Sequence, residues 1–123
     1  SELGAAEFAR QRSPLLVAEA APKQIIDEVE RLFADSVRMP SYQWACNSMA
    51  ETDHRDSLAS IVVPTLVVCG DEDRVTPPKL SQELAEGIKG STLAYVKGAG
   101  HLANQEHPAD FNDIVARFAK SLT

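Results

Sequence analysis

The 123 residues carry 18 acidic against 12 basic side chains, a net charge of −6 at pH 7, and 44% of them are hydrophobic. That size and balance fit one compact globular domain and argue against nucleic acid or an anionic membrane as partner. No apolar run reaches the ~18 residues of a membrane span and no signal-peptide pattern opens the chain, so a cytoplasmic location is expected. Cys46 and Cys69 belong to no C-x-x-C pair. Two buried free thiols in a reducing compartment, and no metal, are expected from them.

Residues 1–21 show no clear period and are expected to be irregular. Pro22 suits the opening position of a helix, and Ile25, Ile26, Val29, Leu32, Phe33 and Val37 follow at helical spacing. Pro40 breaks that run. Ser41 then suits the N-cap of a second helix, with Tyr42, Ala45, Cys46, Met49 and Ala50 along one side. This first region reads as a helical pair whose apolar faces need something to cover.

The pattern changes between Asp53 and Ser60. Ile61-Val62-Val63-Pro64 leads into Thr65-Leu66-Val67-Val68-Cys69-Gly70, a run without polar alternation. Such a strand is buried on both faces, as in a parallel sheet. Thr76-Pro77-Pro78 opens a helix with Leu80, Leu84 and Ile88 inside, ended by Gly90. A second strand is predicted over Ser91–Lys97, then a Gly98-Ala99-Gly100-His101 turn. The last helix starts at Pro108 and carries Phe111, Ile114, Val115, Phe118 and Leu122 on one stripe. Strand, helix, strand, helix with short connections makes a right-handed βαβ unit of an α/β parallel sheet. Two strands alone leave unpaired backbone and bare apolar faces, so further strands are expected from elsewhere.

The loops after the two strands lie where open α/β sheets place their sites. One carries Asp71-Glu72-Asp73 and the other His101. A carboxylate beside an imidazole fixes its tautomer and stabilises its protonated form. A rival reading takes Asp71-Glu72-Asp73-Arg74-Val75 as the D-x-D-x-V opening of a haloacid-dehalogenase-type phosphotransferase. Gly70 separates it from the strand, no later acid pair follows, and the glycine-histidine turn would go unexplained. Ser1 is also considered as an N-terminal nucleophile. His54 and His107 are read as structural, one in a linker and one ahead of a helix-opening proline.

Taken together, Val63–Asp73 followed by Gly98–Pro108 resembles the end of the α/β-hydrolases, in which a G-x-x-D acid follows one strand and a G-x-G-H turn precedes the final helix. The resemblance implies that Asp73 is the triad acid and His101 the general base, with Asp71, adjacent to Gly70, as the lesser alternative. Residues 1–55 resemble the latter part of that family's helical cap and residues 56–123 the C-terminal portion of its core. Through Ala50-Glu51-Thr52-Asp53-His54-Arg55-Asp56-Ser57-Leu58 the cap is most similar to that of 3-oxoadipate enol-lactonases and related small-molecule hydrolases. Since the inner face of a cap lines the substrate pocket, Trp44 is a candidate substrate-binding residue.

One departure is large: the family's nucleophile elbow, G-x-S-x-G, precedes the cap, and no such motif occurs in the 123 residues. The resemblance therefore implies part of a serine hydrolase for a small carboxylester or lactone, without cofactor or metal, whose serine lies on a missing or separate chain. Its expected partners are that G-x-S-x-G part or further copies of itself, and the chain alone is expected to be inactive. The alternative is an inert hydrolase-fold fragment or binding module that self-associates.

Overall fold

The structure, a computed structural model, describes residues 4–38 and 40–123. Ser1, and with it the idea of a terminal nucleophile, lies outside the described residues. The stretch expected to be irregular instead forms a helix, α1 (Ala5–Arg12). Its buried residue is Ala9, at 0% exposure, and the segment after the helix buries Ser13, Val17 and Ala18, so the stretch carries little hydrophobic periodicity. It packs against α2 (Lys23–Ser36), which buries Val29. Pro22 precedes the first turn of α2 as its N-cap rather than standing in it.

Phe8, Phe33 and Tyr42 close the helical part as an aromatic trio. Ring centroids lie 5.3 Å apart for Phe8 and Tyr42, edge to face, and 5.7 Å apart for Phe8 and Phe33, distances at which aromatic quadrupoles attract. Tyr42 belongs to α3 (Ser41–Glu51), whose N-cap is Pro40 and not Ser41. Pro40 already sits at φ −87°, ψ 0°, and its carbonyl accepts the Trp44 amide at 3.1 Å. The chain thus enters the helix one residue early, and no side chain caps it.

A 3-10 turn over Arg55–Ser60, with Leu58 buried, leads to β1 (Leu66–Gly70). The strand is shorter than its apolar run: Val62 and Val63 are 89% and 65% exposed, and Pro64 offers no ladder donor beside them. Next come α4 (Pro78–Gly87), β2 (Thr92–Val96), a short α5 (Ala103–Glu106) that the sequence did not announce, and α6 (Pro108–Lys120). α4 ends before Gly90, which at φ +80° turns the chain into β2, a backbone conformation that favours glycine.

β1 and β2 pair in parallel, from Leu66 opposite Thr92 to Gly70 opposite Val96. Val68 and Val96 face Phe111 and Ile114 of α6 in the core cluster with Ala99 and Ala103. On the opposite face, Gln82 of α4 donates to the Tyr95 hydroxyl at 3.0 Å. Helices therefore flank both faces of an α/β sheet. The covering is partial, with Leu80, Leu84 and Val115 each at least 40% exposed and one edge of each strand unpaired among the described residues. Both cysteines are free; Cys69 is buried, while Cys46, on α3, is only half-buried. Among the described residues no helix is long and apolar enough to cross a membrane.

Candidate active site

Parallel pairing ends β1 and β2 side by side, so their loops start together. At Gly70 a Cβ would stand 2.2 Å from the carbonyl oxygens of Ala99 and Gly100, so only hydrogen fits where the two loops meet. The Asp71 amide donates to the Val96 carbonyl at 3.2 Å and the Glu72 amide to that of Ala99 at 2.9 Å. The Asp71 carboxylate accepts the Gly98 amide at 2.6 Å, holding the histidine turn from outside the acid–histidine contact.

Asp73 is 7% exposed. Its Oδ1 accepts the amides of Val75 and Thr76 at 2.8 and 2.9 Å, and its Oδ2 accepts the Thr76 hydroxyl and His101 Nδ1, each at 2.9 Å. Burial pushes this carboxyl up, but the hydrogen bonds from His101, Thr76 and Val75 outweigh it and hold the group below its ordinary value. An ionised carboxylate can only accept, so the shared proton sits on Nδ1, with the Thr76 oxygen 3.1 Å away as a second acceptor. Nε2 of the neutral ring then keeps a free lone pair. The His101 side chain remains 35% exposed.

His101 borders a cleft of about 380 Å³ between the two regions, lined by Leu16, Val29, Leu32, Phe33, Tyr42 and Leu102, with Ser36 and Gln105 as further polar groups. Burial, with Cys46 next to it, pushes the Tyr42 hydroxyl up, so the group stays protonated. The structure thus brings Asp73 and His101 together and leaves Trp44 apart, 64% exposed and outside this lining. The reason is helical geometry: two residues apart is about 200° around the axis, so Tyr42 and Trp44 cannot face one cleft. Leu16 and Gln105 carried no signal in the sequence.

The remaining candidates hold backbone or sit elsewhere. His107 Nε2 donates to the Gly98 carbonyl at 3.3 Å. His54 lines a separate cavity of about 610 Å³ with Leu58, Leu80, Leu84 and the Asp53–Arg55 ion pair. Asp71 and Asp73 turn to different partners, so they do not converge as a phosphotransferase pair would. Among the described residues no group of three or more His, Cys, Asp or Glu side chains is placed to hold a metal.

Comparison with known proteins bears on the fold. Residues 2–114 match the model of the alpha/beta hydrolase family. AB hydrolase superfamily protein YisY of Bacillus subtilis is 33% identical, over 81% of this chain and 43% of its own length. 3-Oxoadipate enol-lactonase 2 of Acinetobacter baylyi is 37% identical, over 75% of this chain and 35% of its own. A thermophilic esterase from Thermogutta terrifontis superposes with a TM-score of 0.87 at 25% identity, covering 98% of this chain and 45% of the esterase. The chain spans less than half the length of each of these relatives. With a parallel strand pair flanked by helices that matches the C-terminal portion of that fold, the chain belongs to the alpha/beta hydrolase family.

Proposed function

We propose that this chain supplies the acid and base of a serine-type hydrolase acting on a small carboxylester or lactone. The observation that carries the reading is the 2.9 Å contact of His101 Nδ1 with the ionised Asp73 carboxylate, which leaves Nε2 free beside an apolar cleft. The nucleophilic serine lies on another segment, in the same polypeptide or on a second chain. Residues 1–55 act as cap and residues 56–123 as the end of the core. The esterase and enol-lactonase named among the relatives support the substrate class.

In this reading the serine oxygen attacks the substrate carbonyl carbon while its proton passes to Nε2. Asp73 stays ionised and stabilises the imidazolium. Collapse of the tetrahedral intermediate expels the alkoxide, which takes the proton back from Nε2, and an acyl-enzyme remains. Water repeats the sequence, giving its proton to Nε2 and releasing the acid and the free serine. Amides outside this chain would hold the oxyanion. Trp44, on the outer side of α3, meets substrate only where another segment closes over it; Trp44→Ala then raises KM and leaves kcat unchanged.

The test is to assay the chain alone and co-expressed with a segment carrying G-x-S-x-G, against p-nitrophenyl esters and a simple lactone, with native mass spectrometry of both samples. The expected result is no turnover alone, turnover in the pair, and its loss in His101→Ala. Near-normal activity in His101→Ala would sink the triad assignment. A second reading, an inert self-associating module, is favoured by the exposed Val62 and Val63 ahead of β1, a strand with one edge unpaired among the described residues. A homo-oligomer that gains no activity from the added segment would select it.

A further inference from the structure

The Asp73 and His101 loops are tied to each other and also to one segment of the helical part, Pro14–Ala18. Arg74, next to Asp73, donates through Nη2 to the carbonyls of Pro14 and Val17 at 2.8 and 3.0 Å. The Leu102 amide donates to the Leu16 carbonyl at 3.1 Å. Glu106 makes the remaining link with both of its oxygens. Oε2 accepts the Ala18 amide at 2.7 Å and Oε1 accepts the Gly100 amide at 2.8 Å. A single carboxylate therefore bridges the helical segment and the residue that precedes His101.

The bridge is close-packed. A Cβ on Gly100 would stand 2.4 Å from the Ala18 nitrogen and the Val17 carbonyl carbon. Ala18 and Gly100 are both buried, so their amides have no water to turn to if the carboxylate is removed. Hydrogen bonds to an ionised acceptor are about twice as strong as neutral ones, and here two converge on one group.

We propose that Glu106 is a positioning residue for His101. By fixing the Gly100 amide against Ala18, it sets the backbone from which the imidazole projects and so keeps Nδ1 on Asp73. The inference rests on the acid–base reading of Asp73 and His101 given above, but its readout needs no turnover. The Nδ1 proton of His101, held 2.9 Å from Asp73, is expected to give a low-field magnetic resonance signal whose exchange with water reports how well that contact holds. The amides of Leu66–Gly70 and Thr92–Val96 serve as the control for the sheet.

In the full chain, Glu106→Ala is expected to speed exchange of the His101 Nδ1 proton about tenfold, the effect of losing a charge-assisted bond, with the sheet amides unmoved. Glu106→Gln keeps one acceptor but sets an amide group against the other donor, and an intermediate rate is expected. In the completed hydrolase kcat falls in the same order while KM is little changed. If exchange rises as stated yet even the unsubstituted pair turns over nothing, the Glu106 assignment stands and the hydrolase reading falls. Unchanged exchange in both variants overturns the assignment. Where Glu106→Ala loses the sheet amides too, Glu106→Gln decides, and their loss there as well makes Glu106 a general stabiliser and overturns the proposal.

Discussion

The two loops beyond the sheet and the helix α3 are held in place in opposite ways. Around the loops the polar groups of Asp71, Asp73, Arg74, Gly98, Gly100, His101 and Glu106 find partners within this chain. α3 buries none of its residues, and its side-chain hydrogen bonds, Gln43 to Asn47 and Thr52 to the Ser48 carbonyl, run along the helix itself. Trp44 and Met49 stand 64% and 71% exposed on it. The difference teaches that hydrogen-bonded loops reach closure with few residues, whereas an apolar face is settled only by another surface.

Four measurements press on that contrast. The largest effect is expected for His101→Ala in the completed hydrolase, a fall in kcat of about 10³-fold or more, since the base of a triad has no substitute within it. Equal turnover before and after the change would remove the loops from the chemistry. Gly100→Ala drives a methyl into the Val17–Ala18 backbone; overpacking of this kind costs about 1–3 kcal/mol, to be read as a lower urea midpoint. An unshifted midpoint would show the loop to be as loosely held as the exposed Trp44 side of α3.

The third measurement is the acid limb of stability. Asp73 is held below its ordinary value by His101, Thr76 and Val75. A depressed carboxyl stabilises the fold above the unfolded value, about 3.9, and that contribution is lost as pH falls through the lower folded value. Asp73→Asn should therefore flatten the stability-versus-pH curve in that window and leave its neutral side parallel to the parent. A curve of unchanged shape would detach the carboxylate from its hydrogen bonds. The smallest effect belongs to α3: Trp44→Ala should change stability by no more than about 0.5 kcal/mol, as for an exposed site away from special features. A larger loss would mean that the Trp44 side of α3 is packed after all.

The parts legible in the sequence are those with a side-chain signature. A largely β-branched run without polar alternation at Thr65–Cys69 announced a doubly covered strand, and glycines at 70, 98 and 100 marked the loops that carry Asp73 and His101. That those two loops start side by side follows from parallel pairing. α1 escaped notice because its one buried residue, Ala9, is too small to leave a hydrophobic period. Val62 and Val63 read as strand yet lie exposed, because nothing in the described residues pairs with them. The roles of Arg74 and Glu106 had no signature at all, since their partners are backbone atoms of Pro14, Val17, Ala18 and Gly100.

The Glu106 bridge also bears on the order in which the chain organises itself. The Asp73–His101 contact joins residues 28 apart in sequence, whereas Ala18 and Glu106 are 88 apart. Closing the longer loop costs about 1 kcal/mol more in chain entropy, so contacts of low separation are favoured to form first. The strand–helix–strand unit would assemble as one cooperative block with the histidine already beside its carboxylate, and the helical segment would dock onto it afterwards. In native-state hydrogen exchange the Ala18 amide should then open at lower free energy than the amides of β1 and β2, making the helical segment the first part of the molecule to detach.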